Sequence, residues 1–171
     1  MRIVTTFVQG LYAFKYGSKL DELERLLDDW NNPEYLESFF EQNENDLLYF
    51  GIDIDSAIAE TINEADKLKN LLMKLSINNS ISLDCIFRPL DNLEFREISL
   101  SKQKASRRWL RLYAIKIEAN HYVITGGAIK LTHKMQEREH TQKELVKLEK
   151  CRNYLQSQDV FDTDSFNELT L

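Results

Sequence analysis

Trp109-Leu110-Arg111-Leu112-Tyr113-Ala114-Ile115-Lys116-Ile117 is the stretch whose reading decides the fold class. It contains no Gly or Pro and alternates with a period of two. Trp109, Arg111, Tyr113, Ile115 and Ile117 project to one face, and Leu110, Leu112, Ala114 and Lys116 to the other. The next four residues, Glu118-Ala119-Asn120-His121, are short enough for a hairpin, and Asn120 tolerates a positive φ. The return strand is expected over Tyr122–Leu131, bent or bulged at Gly126-Gly127. A hairpin of this kind sets an antiparallel sheet.

Upstream of it, Ser99–Ser106 is polar and basic and reads as a loop, while Glu94–Leu100 alternates weakly as a strand. Residues 81–88 form a short apolar run closed by an Arg88-Pro89-Leu90-Asp91-Asn92 turn. At the N-terminus, residues 2–16 read as a strand with a kink at Gly10. Leu20, Leu23, Leu26, Leu27 and Trp30 then follow helical spacing until Asn31-Asn32-Pro33. Pro33 opens a second helix capped by Asn32, with Leu36, Phe39 and Phe40 on its apolar side. A third begins near Asp53 to Asp55, carries Ile58, Ile62, Ala65, Leu68, Leu72 and Leu75, and stops at residues 76–80.

Downstream, Thr141-Gln142-Lys143-Glu144 has the form of a capping box before a helix bearing Leu145, Leu148, Cys151 or Arg152, and Leu155. The expected fold class is therefore α+β: an N-terminal strand and helices, then a mostly antiparallel sheet and a C-terminal helix, with helices over one sheet face. A single domain is expected over residues 1–157. Residues 158–171 read as an acidic tail that docks loosely.

Composition narrows the function classes. With 43% hydrophobic and 29% charged residues among 171, wholesale disorder and fibrous repeats are excluded. No run of about 18 apolar residues occurs, so no membrane span is expected. Residues 1–7 lack the pattern of a secretory signal, and a cytoplasmic setting is expected, with Cys85 and Cys151 as buried free thiols. Phosphate-loop, zinc-protease, Cys-x-x-Cys and nucleophile-elbow patterns are missing, and no cofactor or metal is implied.

The net charge of −6 conceals an internal polarity. Residues 101–150 hold twelve Lys and Arg against five acids, whereas the rest of the chain holds ten against 23. Such asymmetry suits one surface to a polyanion. The same cations could instead disperse in space.

Arg88-Pro89-Leu90, Trp109-Leu110-Arg111-Leu112-Tyr113 and Gly127-Ala128-Ile129-Lys130-Leu131-Thr132-His133-Lys134 together resemble the RelE/ParE toxin superfamily, closest to its HigB-like, phage-derived branch. The resemblance covers roughly residues 83–156. It departs from the pattern at Leu131, where a second lysine is usual, and in the longer N-terminal half. It implies the toxin of a type II toxin–antitoxin system. Such a toxin is a messenger-RNA endonuclease, acting free or on the ribosome, neutralised by a cognate antitoxin protein. By motif position Arg111 would clamp phosphate, Lys130 and Lys134 would line the mouth of the site, and Lys102 and Lys104 would stand for the family's paired lysines.

Metal-free cleavage of RNA needs proton transfer and stabilisation of charge on phosphate. His133 is the residue best able to exchange protons near pH 7. Each assignment has a plainer alternative. Arg111 could be a sheet arginine paired with a carboxylate, and Lys130 and Lys134 could be solvated surface. Lys102, Lys104, Arg107 and Arg108 could contact RNA or hold an acidic partner. Tyr113 could stack on a base or fill the sheet face. A non-catalytic binding module on the same scaffold, directed at gyrase or at a partner protein, is the competing expectation.

Overall fold

The computed structural model describes residues 1–17, 20–78, 80–90, 99–132 and 137–170. Its strands are β1 (Arg2–Thr5), β2 (Leu11–Lys15), β3 (Arg88–Pro89), β4 (Ser101–Arg107), β5 (Leu110–Glu118) and β6 (His121–Ile129). They form one mixed sheet in the order β1-β2-β6-β5-β4-β3. Every neighbouring pair is antiparallel except β2 and β6, which run parallel through Leu11↔Tyr122 to Ala13↔Ile124. The chain is α+β, as its sequence leads one to expect.

The N-terminal region is a hairpin rather than one kinked strand. Gly10 turns it, at φ +81°, and its own carbonyl accepts the Tyr122 amide at 2.9 Å. A Cβ there would lie 2.3 Å from the Asn120 carbonyl oxygen, so only glycine lets this turn meet the β5–β6 turn. Asn120 does adopt a positive φ, 59°. The bulge in β6 falls at Thr125, because Tyr113 pairs with Gly126 while Ala114 pairs with Ile124.

Helices α1 (Glu22–Asn31), α2 (Pro33–Gln42), α3 (Glu44–Leu48) and α4 (Ile54–Ile77) follow β2. Side-chain caps start three of them. Asp21 accepts from the amides of Leu23 and Glu24, Asn32 from those of Glu34 and Tyr35, and Asp53 from that of Ser56. The α4 stripe is rotated slightly from the expected one: Ala57, Thr61, Ala65, Leu68, Leu72 and Leu75 are buried, and Ile58 and Ile62 only partly.

The last two helices are α5 (Glu139–Ser157) and α6 (Thr163–Thr170). Because α5 begins at Glu139, Thr141 lies inside it, buried, and its hydroxyl donates to the Arg138 carbonyl; the expected capping box is not formed. Residues 158–170 are no loose tail. Val160 and Phe166 are buried, and Phe166 meets the Tyr12 ring edge-on at 4.8 Å.

Helices cover both sheet faces, not one. The apolar residues on both sides of β5 require it: Leu110, Leu112 and Ala114 pack with α1, α2 and α4, while Tyr113, Ile115 and Ile117 pack with α5 and α6. Trp109 sits in the turn before β5 and joins the first of these cores, not the Tyr113 face. Ser99–Ser106 is largely strand β4, with Ser101, Gln103 and Ala105 turned inward. The expected strand over Glu94–Leu100 lies mostly outside the described residues. Cys151 is buried, but Cys85 is exposed.

Candidate functional site

Strand register brings the central cations together. Arg111 on β5 faces Ser106 on β4 and Ala128 on β6, and Lys104 is opposite Tyr113, one pair further along the same face. Lys130 follows the end of β6 directly, its amide donating to the Trp109 carbonyl at 2.7 Å. Arg111 and Lys130 line a cleft of about 460 Å³. Asn45, Asp46, Tyr49 and Phe50, from α3 and the turn after it, line it as well, together with Arg108, Trp109 and Arg138.

Charge in the cleft is uneven. Arg111 Nη1 donates to the carbonyls of Arg108 (2.6 Å) and Leu110 (2.9 Å), which hold the guanidinium in place. Its Nε and Nη2 bond to no described residue, and among the described residues no carboxylate is ion-paired with Arg111 or Lys104. Burial pushes the Arg111 pKa down. The Lys130 ammonium is lowered too, by burial first and then by the charges of Arg111 and Lys104, with Glu137 opposing. Three cations therefore share one small region of the sheet end, and their repulsion favours an anion among them.

Four neighbouring cations, Lys102, Arg107, Arg108 and Arg138, are answered by carboxylates of the same chain. Arg138 is held by Asp46 through two hydrogen bonds, one of 2.7 Å. Arg108 Nε lies 2.9 Å from Glu60 and Arg107 Nε 3.7 Å from Glu64, while Lys102 donates to Glu149 at 3.0 Å. Between Leu26 and Asp66 the chain has twelve acids and no Lys or Arg, and this segment supplies Asp46, Glu60 and Glu64. The acidic half thus neutralises several cations of the basic block, Arg107, Arg108 and Arg138 among them.

Of the residues named from sequence, Arg108, Arg111 and Lys130 meet at the cleft, and Lys104 stands beside them. Lys102 and Arg107 lie in ion pairs. Lys102 and Lys104 belong to strand β4 and not to a basic loop; the inward Ser101, Gln103 and Ala105 carry too little apolar signal to reveal it. Tyr113 fills the sheet face: it is 1% exposed beneath α5 and cannot stack on a base. His133 and Lys134 lie outside the described residues. His140 is structural, its Nε2 2.8 Å from the Ile129 carbonyl and its ring against Phe39.

Tyr49, Phe50, Asn45 and the Asp46–Arg138 pair escaped the sequence reading. The apolar run Leu47-Leu48-Tyr49-Phe50, directly after the polar residues 41–46, is the signal the sequence carries. A larger hollow of about 690 Å³ between α3 and the start of α4 is lined by Leu47, Ile52 and Ile54 with Asp53 and Asp55 at hand. It is lined by no cation, and Asp53 is already engaged as the α4 cap. No protein-family model matches this chain, and neither does any curated protein or solved structure.

Proposed function

We propose that this protein is the toxin component of a type II toxin–antitoxin system, an endoribonuclease that cuts messenger RNA by 2′-hydroxyl attack on the adjacent phosphate. One observation carries the reading: Arg111 and Lys130 line a cleft with Lys104 close enough to act on the Lys130 charge, and Arg111 and Lys104 pair with no carboxylate among the described residues. A phosphodiester supplies the missing negative charge. As the 2′-oxygen bonds to phosphorus and the bond to the 5′-oxygen breaks, Arg111 balances the added charge on the non-bridging oxygens. The 2′-hydroxyl proton leaves to a base and the 5′-oxygen receives one from an acid, giving a 2′,3′-cyclic phosphate and a 5′-hydroxyl. Lys130, placed in the cleft beside Arg111, is assigned one of these transfers, and His133 is assigned the other from its place in sequence. A cognate antitoxin would silence the protein by covering the cleft.

A second reading, a non-catalytic binding module, is favoured by the intrachain pairing of Lys102, Arg107, Arg108 and Arg138, which leaves a small anion site. One experiment separates the two. The wild-type chain and an Arg111→Ala/Lys130→Ala variant are induced separately in a bacterial host, and growth and transcript integrity are followed. Growth arrest with cut transcripts in the wild type alone is expected. Normal growth and intact transcripts from soluble, folded wild-type protein would overturn the nuclease reading in favour of the binding module.

A further inference from the structure

The wall of the cleft contributed by α3 has no counterpart in the phosphate chemistry above. Tyr49 is 85% exposed, and its ring touches the neighbouring Phe50 edge-on, with centroids 6.5 Å apart. Phe50 in turn packs edge-on against Trp109 at 5.4 Å. The Arg108 guanidinium lies over both, 5.2 Å from the Phe50 centroid and 4.9 Å from that of Trp109, with 41% of its side chain still exposed. An exposed tyrosine and a guanidinium plane resting on aromatic rings are both surfaces on which a flat heterocycle stacks. Asn45 stands four residues before Tyr49, hence on the same side of the α3 turn, and its amide offers both a donor and an acceptor.

These groups and the cations Arg111 and Lys130 line one cleft of about 460 Å³, a volume suited to a small molecule or one extruded nucleotide. We propose that the α3 wall is a base-binding subsite for single-stranded RNA: Tyr49 and the Arg108–Phe50 stack hold an unpaired base, and Asn45 hydrogen-bonds its edge, while the adjoining phosphate lies on Arg111 and Lys130. The proposal rests on the RNA reading and gives it a strandedness. A base inside a duplex is already stacked and presents no face to Tyr49, whereas an unpaired one does.

The test is equilibrium binding at low salt of a labelled ten-nucleotide single-stranded RNA to the full chain, followed by anisotropy. The same RNA with abasic positions and a duplex of equal length serve as comparisons. Tyr49→Ala should weaken single-strand binding about 5- to 150-fold, the range of one stacked base. Tyr49→Phe should stay within about twofold of wild type, and the abasic strand should bind wild type and Tyr49→Ala alike. Circular dichroism checks that the exposed substitution leaves the fold intact. Equal affinity of wild type and Tyr49→Ala for the intact strand would overturn the subsite, and would leave Tyr49 to a protein interface. That failure is distinct from failure of the RNA reading itself, in which the wild type binds none of the three nucleic acids.

Discussion

Trp109 Nε1 donates a 2.9 Å hydrogen bond to the Thr61 hydroxyl, and that hydroxyl donates onward to the Ala57 carbonyl at 2.7 Å. Trp109 and Thr61 are buried, so the indole N–H has no water to turn to. The pair ties α4 to the turn that opens β5 and seats the aromatic floor of the cleft. Thr61→Val keeps the shape but removes the acceptor. It should cost about 1–3 kcal/mol, at roughly 2–4 °C of Tm per kcal/mol. Thr61→Ser should retain most of the stability. Thermal melts of both variants check this, and an unchanged Tm for Thr61→Val would contradict the role given to the bond.

Adjacent glycines at the β6 bend should respond unequally to alanine. A Cβ on Gly127 would lie 2.6 Å from the Arg111 carbonyl oxygen and 2.8 Å from Leu26 Cδ1, so backbone must move. A Cβ on Gly126 would meet only side-chain ends, those of Glu144 and Lys147. Gly127→Ala is expected to destabilise by about 1–3 kcal/mol, and by more than Gly126→Ala. On the proposed RNA reading it should also weaken binding, because the displaced backbone is that of Arg111. Denaturant midpoints rank the two.

Lys147 is shared by two carboxylates with opposite pH behaviour, at 3.0 Å from Glu22 and 2.9 Å from Glu144. Burial raises the Glu22 pKa, but the hydrogen bonds and charges of Arg25 and Lys147 outweigh it and leave it below its ordinary value. The unfolded chain therefore holds that proton more tightly. Glu22 stabilises the fold above the ordinary carboxylate range and loses this effect as pH falls through its lowered pKa. Burial leaves Glu144 above its ordinary value despite Lys147. Its ionisation therefore costs stability as pH rises through the raised pKa. Glu22→Gln should lower Tm at neutral pH, with the difference shrinking in acid, whereas Glu144→Gln should leave Tm unchanged or higher. Melts across the acid to neutral range check the sign.

The C-terminal helix belongs to the folded unit. Phe166 is fully buried against Tyr12, so Phe166→Ala should cost about 3–5 kcal/mol, the usual range for a core aromatic. A loosely docked tail would show almost no change in the denaturant midpoint.

The elements legible in the sequence are those whose signals are local. The β5–β6 hairpin was readable from its alternation and Asn120, α1 from its helical stripe alone, and α2 and α4 from Asn32-Pro33 and Asp53 beside theirs. Strand β4 was not, because its inward positions are Ser101, Gln103 and Ala105; Gln103 is accommodated by donating to the Ser101 hydroxyl, a pairing invisible in composition. The position of α6 depends on Phe166 finding Tyr12 more than 150 residues away. At the candidate site, Arg111 and Lys130 come from neighbouring strands and were readable together. The α3 wall was not, since Tyr49 reaches them only through the tertiary fold. The same holds for Glu60, Glu64 and Asp46, whose long-range pairing engages Arg108, Arg107 and Arg138 of the basic block.

Salt dependence of single-stranded RNA binding tests most directly whether Lys104, Arg111 and Lys130 form a phosphodiester site. Each phosphate contact with a single strand contributes a slope of about −0.7 in log K against log salt, so three contacts predict a slope of about −2. Arg111→Gln/Lys130→Gln should bring it near −0.7 and weaken binding at every salt concentration. Absence of binding at low salt, or a slope unchanged by the double substitution, would contradict a phosphate site at this cluster.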